Sequence, residues 1–511
     1  MRRRLCVWGL SLLVSCGDDA TGVPEAATDT GTDGSTSTPP VDDTAVDATG
    51  SSSGAQESSG STTAPAEPPL PFASGIRLER VTANQGVQVP LVEQGVEVPP
   101  EAQSARLIAG RTTLLRGFWS LHADFTPREL IGRLVADYPD GTQLVQDFPL
   151  MVEGESTDGG ASFQWLLQPD QVVPGIQYRV RILEADPEAA TGEVSDPPPI
   201  LPLAGQGTLE VYDVPLQMKV ELIPVLHQLD GMECMPEILD EDVTAMREQL
   251  EQNNPVQQAV ITVGEPMPYT ASISEGGGFS PVLSVLAERR AADDPDPNVY
   301  YYGLLDSCDG YPPGLLGQAI GIPPAPTMEL AQQRIATGRW LGSGAAAAET
   351  FVHEIGHTQG RYHVLCSGGE AGADAAYPHP QGRIGVWGFG IHDFQLRSPT
   401  QSRDYMTYCA NEWVSDYGYN LTAGVIEQLS AWALGAGASA GADRLRAADF
   451  DEILVASIEA SGAIQWFTIR GGLSGELDAH AAIRWQLDGA QLELPVWISD
   501  QPDGDALLLT S

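Results

Sequence analysis

The stretch from His353 to His363 reads His-Glu-Ile-Gly-His-Thr-Gln-Gly-Arg-Tyr-His, and it constrains the chain more than any other segment. His353 and His357 lie four residues apart, so on a helix both imidazoles leave the same face. Two imidazoles one turn apart suit adjacent corners of a zinc tetrahedron. Glu354 is offset by one residue, close enough to reach a water at the metal without ligating it. Gly360 allows a sharp turn where a side chain would obstruct, and the turn brings His363 round as a third ligand. Three protein ligands with an open fourth position are what a single catalytic Zn2+ needs. A chance match at these five positions is expected on the order of 10⁻⁵ times in a chain this long, so coincidence is set aside. The chain has eight histidines. His122, His227, His379, His392 and His480 are read as surface or structurally satisfied side chains.

The helix carrying the first two histidines should start after Ser343, a suitable N-cap, run through the alanines at 345–348 and stop near Gly360. Upstream, strands are expected at Met218-to-Val225, Val256-to-Val263 and Val299-to-Leu305, with helices at Pro236-to-Asn253 and Ser280-to-Ala292. Alternating segments of this kind imply an α/β layer with helices packed on a sheet. The Gly- and Pro-rich stretch 309–327 is irregular, with room for one edge strand within 312–325. A last helix is expected at about Ala423 to Leu434.

The zinc grid is followed by Asp404-Tyr405-Met406-Thr407-Tyr408-Cys409. Together these segments resemble the metzincin clan of metallopeptidases, with its H-E-x-x-H-x-x-G-x-x-H motif and downstream Met-turn. The stretches Gly385-Val386-Trp387-Gly388 and Trp413-Val414-Ser415-Asp416-Tyr417 add a likeness to bacterial exported members that carry β-sandwich modules. The resemblance covers about 206–435 and reaches the flanking parts only loosely. It implies zinc ligands His353, His357 and His363, Glu354 as general base and Met406 as the Met-turn methionine. It also implies Tyr408 near the metal as an oxyanion stabiliser, or else as a packed aromatic, with Asp416 and Tyr417 supporting the turn. Val364 stands where better-known subfamilies have Glu, Asp or Ser, which leaves substrate preference unassigned. The implied substrate is a protein or peptide, a glycoprotein included. It would bind extended along the edge strand upstream of the zinc helix. The alternative is a zinc-binding adhesion or ligand-binding lipoprotein with a metzincin fold and little hydrolysis.

Around this centre the expected organisation is multidomain. Residues 1–15 form a lipoprotein signal, with Arg2 to Arg4 before a short apolar run ending in Leu13-Val14-Ser15-Cys16, which resembles the lipobox. Cys16 would then be acylated and become the first mature residue. An ordinary secretory signal is the alternative. Residues 16–73 are rich in Ser, Thr, Gly and Asp and read as a disordered tether. Residues 74–205 carry β-prone stretches at Val87-to-Val92, Thr112-to-Trp119, Leu130-to-Tyr138, Ser162-to-Leu167 and Gln177-to-Leu183. Such short strands, separated by turn signals, suggest an all-β immunoglobulin-like sandwich. Pro90 demotes the first to an edge or a bulge. Residues 206–440 are the α/β (α+β) metzincin-like catalytic domain. Residues 445–511 form a small C-terminal β module.

Charge and cysteines set the surroundings. With 69 acidic and 26 basic residues the net charge is −43, which argues against nucleic acid as a partner. Lys219 is the one lysine, so no polybasic membrane patch exists. Membrane attachment is expected through Cys16 alone, at the outer membrane or cell surface of a bacterial envelope, with release as an alternative. Beyond Cys6 and Cys16, four cysteines remain, and an even number in an exported chain suggests two disulfides. Of three pairings, Cys234–Cys308 and Cys366–Cys409 are favoured because each closes a loop within one half of the central domain. Calcium is a weaker expectation at the Asp-rich 293–297 run or at Asp500-to-Asp505, neither of which fits EF-hand spacing.

Overall fold

In the computed structural model, residues 70–433 are described except for 190–192, 276–277 and 367–371, together with five strands between 452 and 510. The expectations for the signal, Cys16, the tether, His480 and the turn at 501–505 lie outside the described residues. Alternation of apolar and polar side chains builds the N-terminal part. Ile76–Asn84, Gly86–Glu93, Thr113–Leu121 and Phe163–Leu167 form one antiparallel sheet. Arg128–Asp137, Gln143–Val152, Gln177–Glu184 and Ile200–Leu201 form a second. The sheets meet through Trp119, Phe163 and Trp165 on one side and Leu130, Leu134 and Val180 on the other. Gly132 lets them close, since a Cβ there would stand 2.4 Å from the Phe163 ring. Pro90 sits at the irregularity in register, opposite Thr82 while Val92 lies opposite Val81. Three of these strands are not among those predicted, Ile76–Asn84, Gln143–Val152 and Ile200–Leu201. The second alternates exposed and half-exposed along nearly its whole length, leaving little apolar signal.

The central sheet runs in the order Met232–Cys234, Gln217–Leu229, Val299–Leu305, Ile335–Arg339, Gly317–Ala319. The three middle strands are mutually parallel, and Gln258–Val263 also pairs in parallel with Gln217–Leu229. Gly317–Ala319 is antiparallel and forms the edge. Among the described residues four α-helices accompany it: α1 Asp240–Asn253, α2 Ser280–Asp293, α3 Gly344–Thr358 and α4 Asp416–Ala433. The two-residue period of the strands sorts the core. Val220, Leu222, Tyr300, Tyr302 and Leu304 pack with Met246 and Leu250 of α1 and with Phe351 and Ile355 of α3. Ile223, Val225, Tyr301 and Leu305 face the other way, onto Leu283 and Leu286 of α2. The chain is thus a multidomain α+β protein dominated by sheet.

Two helix starts differ from the sequence reading. α1 begins at Asp240 because Asp242 accepts a hydrogen bond from the Leu239 backbone N–H, at 2.9 Å. The other Asp242 oxygen accepts from Gly344 N at 2.7 Å, so one carboxylate holds the N-termini of α1 and α3 together. α4 begins at Asp416, seven residues earlier than expected, because the Ser415 hydroxyl caps it by accepting from Gly418 N at 2.9 Å. Ile335–Arg339 was not predicted as a strand. Its Gly and Ala are tolerated because Tyr302 and Thr350 fill the space beside Gly338. At the C-terminal end, Glu452–Ile458, Ile464–Arg470, Ala481–Leu487, Ala490–Asp500 and Ala506–Thr510 form an antiparallel sheet, with the unforeseen last strand at its centre. Among the described residues no helix is long and apolar enough to cross a membrane.

The expected boundary near 205 is bridged at several points. Gly388–Phe389, from the central part of the chain, pairs with Gly86 and Val87 and extends the first N-terminal sheet. Arg111 is buried and donates to the carbonyl oxygens of Glu251, at 3.1 Å, and Asn254, at 3.0 Å, at the C-terminal end of α1. It donates to Val256 O and Gln85 O as well. A fixed cation at a helix C-terminus satisfies carbonyls that the helix cannot. Replacing it by a linear apolar side chain, Arg111→Met, is expected to lower unfolding free energy by about 2–4 kcal/mol. Urea denaturation checks this, and a change within about 0.5 kcal/mol would show that these carbonyls find other partners.

Candidate metal centre

The three predicted ligands converge. His353 and His357 project from one face of α3, and Gly360, with φ +85°, turns the chain so that His363 returns to them. A Cβ at Gly360 would also stand 2.8 Å from Pro323 O. His353 Nδ1 lies 2.7 Å from Tyr405 O, and His357 Nδ1 lies 2.8 Å from Arg361 O. Carbonyl oxygens only accept, so both Nδ1 atoms carry the proton and both Nε2 atoms present a lone pair. Those lone pairs face His363 Nε2, at 3.3 Å from His353 and 3.1 Å from His357.

This arrangement fits a metal ion. Nitrogens bound tetrahedrally at about 2.0–2.1 Å are held about 3.3 Å apart, close to the spacings seen. All three rings are buried. Burial, aided by the neighbouring His363, pushes the His353 imidazole down to about 3. Burial, with His353 and His363 beside it, drives His357 well below its ordinary value. Neutral imidazoles are the form that binds a metal. Among the described residues, this trio is the one group of His, Cys, Asp or Glu close enough to hold an ion. The 293–297 run does not form such a group. Asp293 instead accepts hydrogen bonds from Arg289 at 2.6 Å and Tyr301 at 3.1 Å.

The remaining expected site residues surround the trio. Glu354 is buried on α3, facing the sheet edge, where a Cβ on Gly317 would come within 2.7 Å of its carboxylate. The backbone of the Gly317–Ala319 edge strand therefore passes directly by Glu354. Met406 is fully buried beneath the helix, and only the absence of a side chain at Gly356 admits its sulfur between the two histidine positions. The Tyr408 hydroxyl lies 3.1 Å from His363 Nε2, while its residue stays 48% exposed. The disulfide Cys366–Cys409 ties the loop after His363 to the residue following Tyr408, and Cys234 is bonded to Cys308.

Three groups escaped the sequence reading. Arg361 sits inside the histidine grid and donates to Asp404 Oδ1 at 3.0 Å, with both side chains buried. Asp404 also accepts from Met406 N at 3.0 Å and, through its other oxygen, from Ser415 N at 3.2 Å. The Tyr405 carbonyl orients His353. All lie in segments singled out for other residues, but a charge between two ligands reads as solvent-facing until its partner is seen. Asp416 and Tyr417, expected to support the turn around Met406, are engaged elsewhere. Asp416 holds His379 at 2.6 Å, and Tyr417 donates to Asp374 at 2.8 Å, so both anchor the 374–379 loop. His392 pairs with Glu251 at 2.8 Å, and His227 is buried between Ala271 O and Cys308 N, each at 3.0 Å.

No family model matches the chain, and no curated protein does. A solved structure described as that of a chaperone-substrate complex is similar at 12% identity, with a TM-score of 0.25. The match covers 53% of this chain and 39% of that one.

Removing one partner of a fully buried ion pair strands the other charge. Asp404→Asn is therefore expected to cost about 3–5 kcal/mol of stability. Asp147→Asn, in the partly exposed Arg133–Asp147 pair, should cost under about 1 kcal/mol. Parallel denaturation curves decide, and equal losses would remove the special standing of the buried pair.

Proposed function

We propose that this protein is an exported, lipid-anchored zinc endopeptidase of metzincin type, with an immunoglobulin-like sandwich ahead of the catalytic part. The observation that carries this reading is the convergence of three buried imidazoles, two of them anchored at Nδ1, beside Glu354, Tyr408 and the Gly317–Ala319 strand edge. Zinc suits an all-imidazole set with no fourth His, Cys, Asp or Glu within reach among the described residues, and when bound it would supply Lewis acidity. Glu354 takes a proton from the attacking water and returns it to the departing amine. The Tyr408 hydroxyl donates to the carbonyl oxygen as that oxygen gains charge. The Gly317–Ala319 edge offers backbone groups that pair with an extended peptide and set its scissile bond beside Glu354. A protein or peptide substrate follows from that edge, and the acidic surface disfavours polyanions.

Glu354→Gln keeps the shape of the side chain and removes the base. It should retain zinc at the wild-type ratio and lose about 10²–10⁴-fold in cleavage rate. The check is mass spectrometry of new termini in a peptide mixture, with a chelator-treated control. Cleavage at the wild-type rate by the variant removes Glu354 from its role. No cleavage by zinc-loaded wild type would favour the adhesion reading.

A further inference from the structure

The orientation of His353 depends on a short piece of backbone. Tyr405 O, which accepts from His353 Nδ1, belongs to a segment held by a parallel ladder only two residues long, Arg403–Asp404 against Glu412–Trp413. So short a ladder is weak by itself and needs an anchor outside it. Tyr405 N donates to Trp413 O at 2.7 Å, which passes the requirement to Trp413. The Trp413 indole is buried, and its Nε1 donates to Gly86 O at 2.8 Å. Gly86 opens the second N-terminal strand, directly after the turn from the first, 327 residues away. The indole is also pressed by Gly388, where a Cβ would stand 2.4 Å from the ring, and Gly388 is itself paired with Val87 of the same sheet. Arg397 covers another side, at 5.0 Å from the ring centre.

We propose that the Asn84–Gly86 turn of the N-terminal sandwich is a working part of the metal centre, with Trp413 as the positioning residue that connects them. The path runs from Gly86 O to the Trp413 indole, from Trp413 O to Tyr405 N, and from Tyr405 O to His353 Nδ1. Each step is a buried hydrogen bond, and such outer partners set both ligand direction and ligand basicity. The sandwich thereby serves as more than a spacer, since it fixes one of the three nitrogens. Tyr419 supplies the contrast. Its hydroxyl donates to Gln85 O at 3.1 Å, in the same turn, but it takes no part in the path to Tyr405. The proposal rests on the reading of the histidine trio as a metal site.

The test uses the full chain, with zinc affinity read by chelator competition and site geometry read from the visible absorption of the Co2+-loaded protein. Trp413→Phe keeps an aromatic ring and removes the N–H. It is expected to weaken zinc binding on the order of tenfold and to change the Co2+ spectrum. Tyr419→Phe removes the other bond to the turn and should leave both readouts at wild type. Gly86→Ala moves the acceptor and leaves the indole intact, because Gly86 has φ +99° and a Cβ there would stand 3.1 Å from Gln252 O. It should reproduce the Trp413→Phe loss, and it decides the matter if Trp413→Phe does not fold. Wild-type affinity and spectrum in a folded Trp413→Phe or Gly86→Ala protein overturn the proposal. So does an equal loss in Tyr419→Phe, which would mark a general loosening. Wild-type protein that takes up no metal overturns the reading of the trio itself, and the positioning role with it.

Discussion

The buried pair Arg361–Asp404 is the constraint on which the geometry of the centre turns. Its members flank the two carbonyls that aim the histidines. Arg361 O accepts from His357 Nδ1, and the carbonyl that accepts from His353 Nδ1 belongs to Tyr405, the neighbour of Asp404. Fixing guanidinium to carboxylate at 3.0 Å therefore fixes the distance between those carbonyls. Burial works against the Arg361 charge, but Asp404 outweighs it, and the guanidinium ends above its ordinary pKa. Desolvation makes such a pair a poor source of net stability. Its effect is on register, since only one alignment of the turn after α3 with the Asp404–Tyr408 segment satisfies both charges. Arg361 donates to the Tyr405 hydroxyl at 3.3 Å in that alignment as well.

Close approach does the rest. Gly356 admits the Met406 sulfur, Gly317 admits Glu354, and Gly418 admits the Arg361 guanidinium, which a Cβ would meet at 2.4 Å. None of these needs an unusual backbone conformation, and each is a place where two elements touch without side-chain spacing. Loss of one such contact moves a whole element, because packed interiors have little free volume to absorb the change. The disulfide Cys366–Cys409 closes the same assembly from the solvent side.

Much of this was legible in the sequence, for physical reasons. The spacing of His353, His357 and His363 encodes a helix and a turn whose geometry is local, so the trio could be placed without a fold. Val299–Leu305 could be read because its residues are buried on both faces. Ile335–Arg339 and Gly317–Ala319 are short and poor in branched residues, and they exist as strands only because neighbours pair with them. The residues that aim the histidines were harder. Asp404 is 43 positions from Arg361, and Trp413 is 327 from Gly86, so nothing local marks them as partners. The contacts that cross the expected boundary near 205 were hidden for the same reason: the Gly388–Phe389 pairing and the Arg111 contacts join residues far apart in the chain.

What distinguishes a reactive metal site from a closed one is whether the fold fixes a fourth protein ligand. Here the trio is the full set of His, Cys, Asp and Glu ligand atoms within reach among the described residues. The next group toward it is the Tyr408 hydroxyl, on a half-exposed ring that lies 4.9 Å from the His363 ring centre. Its backbone is held by the adjacent disulfide Cys366–Cys409. Burial of the nitrogens and exposure of Tyr408 are therefore complementary. The first keeps His353 and His357 neutral and oriented, and the second leaves the phenol beside them half-exposed to solvent.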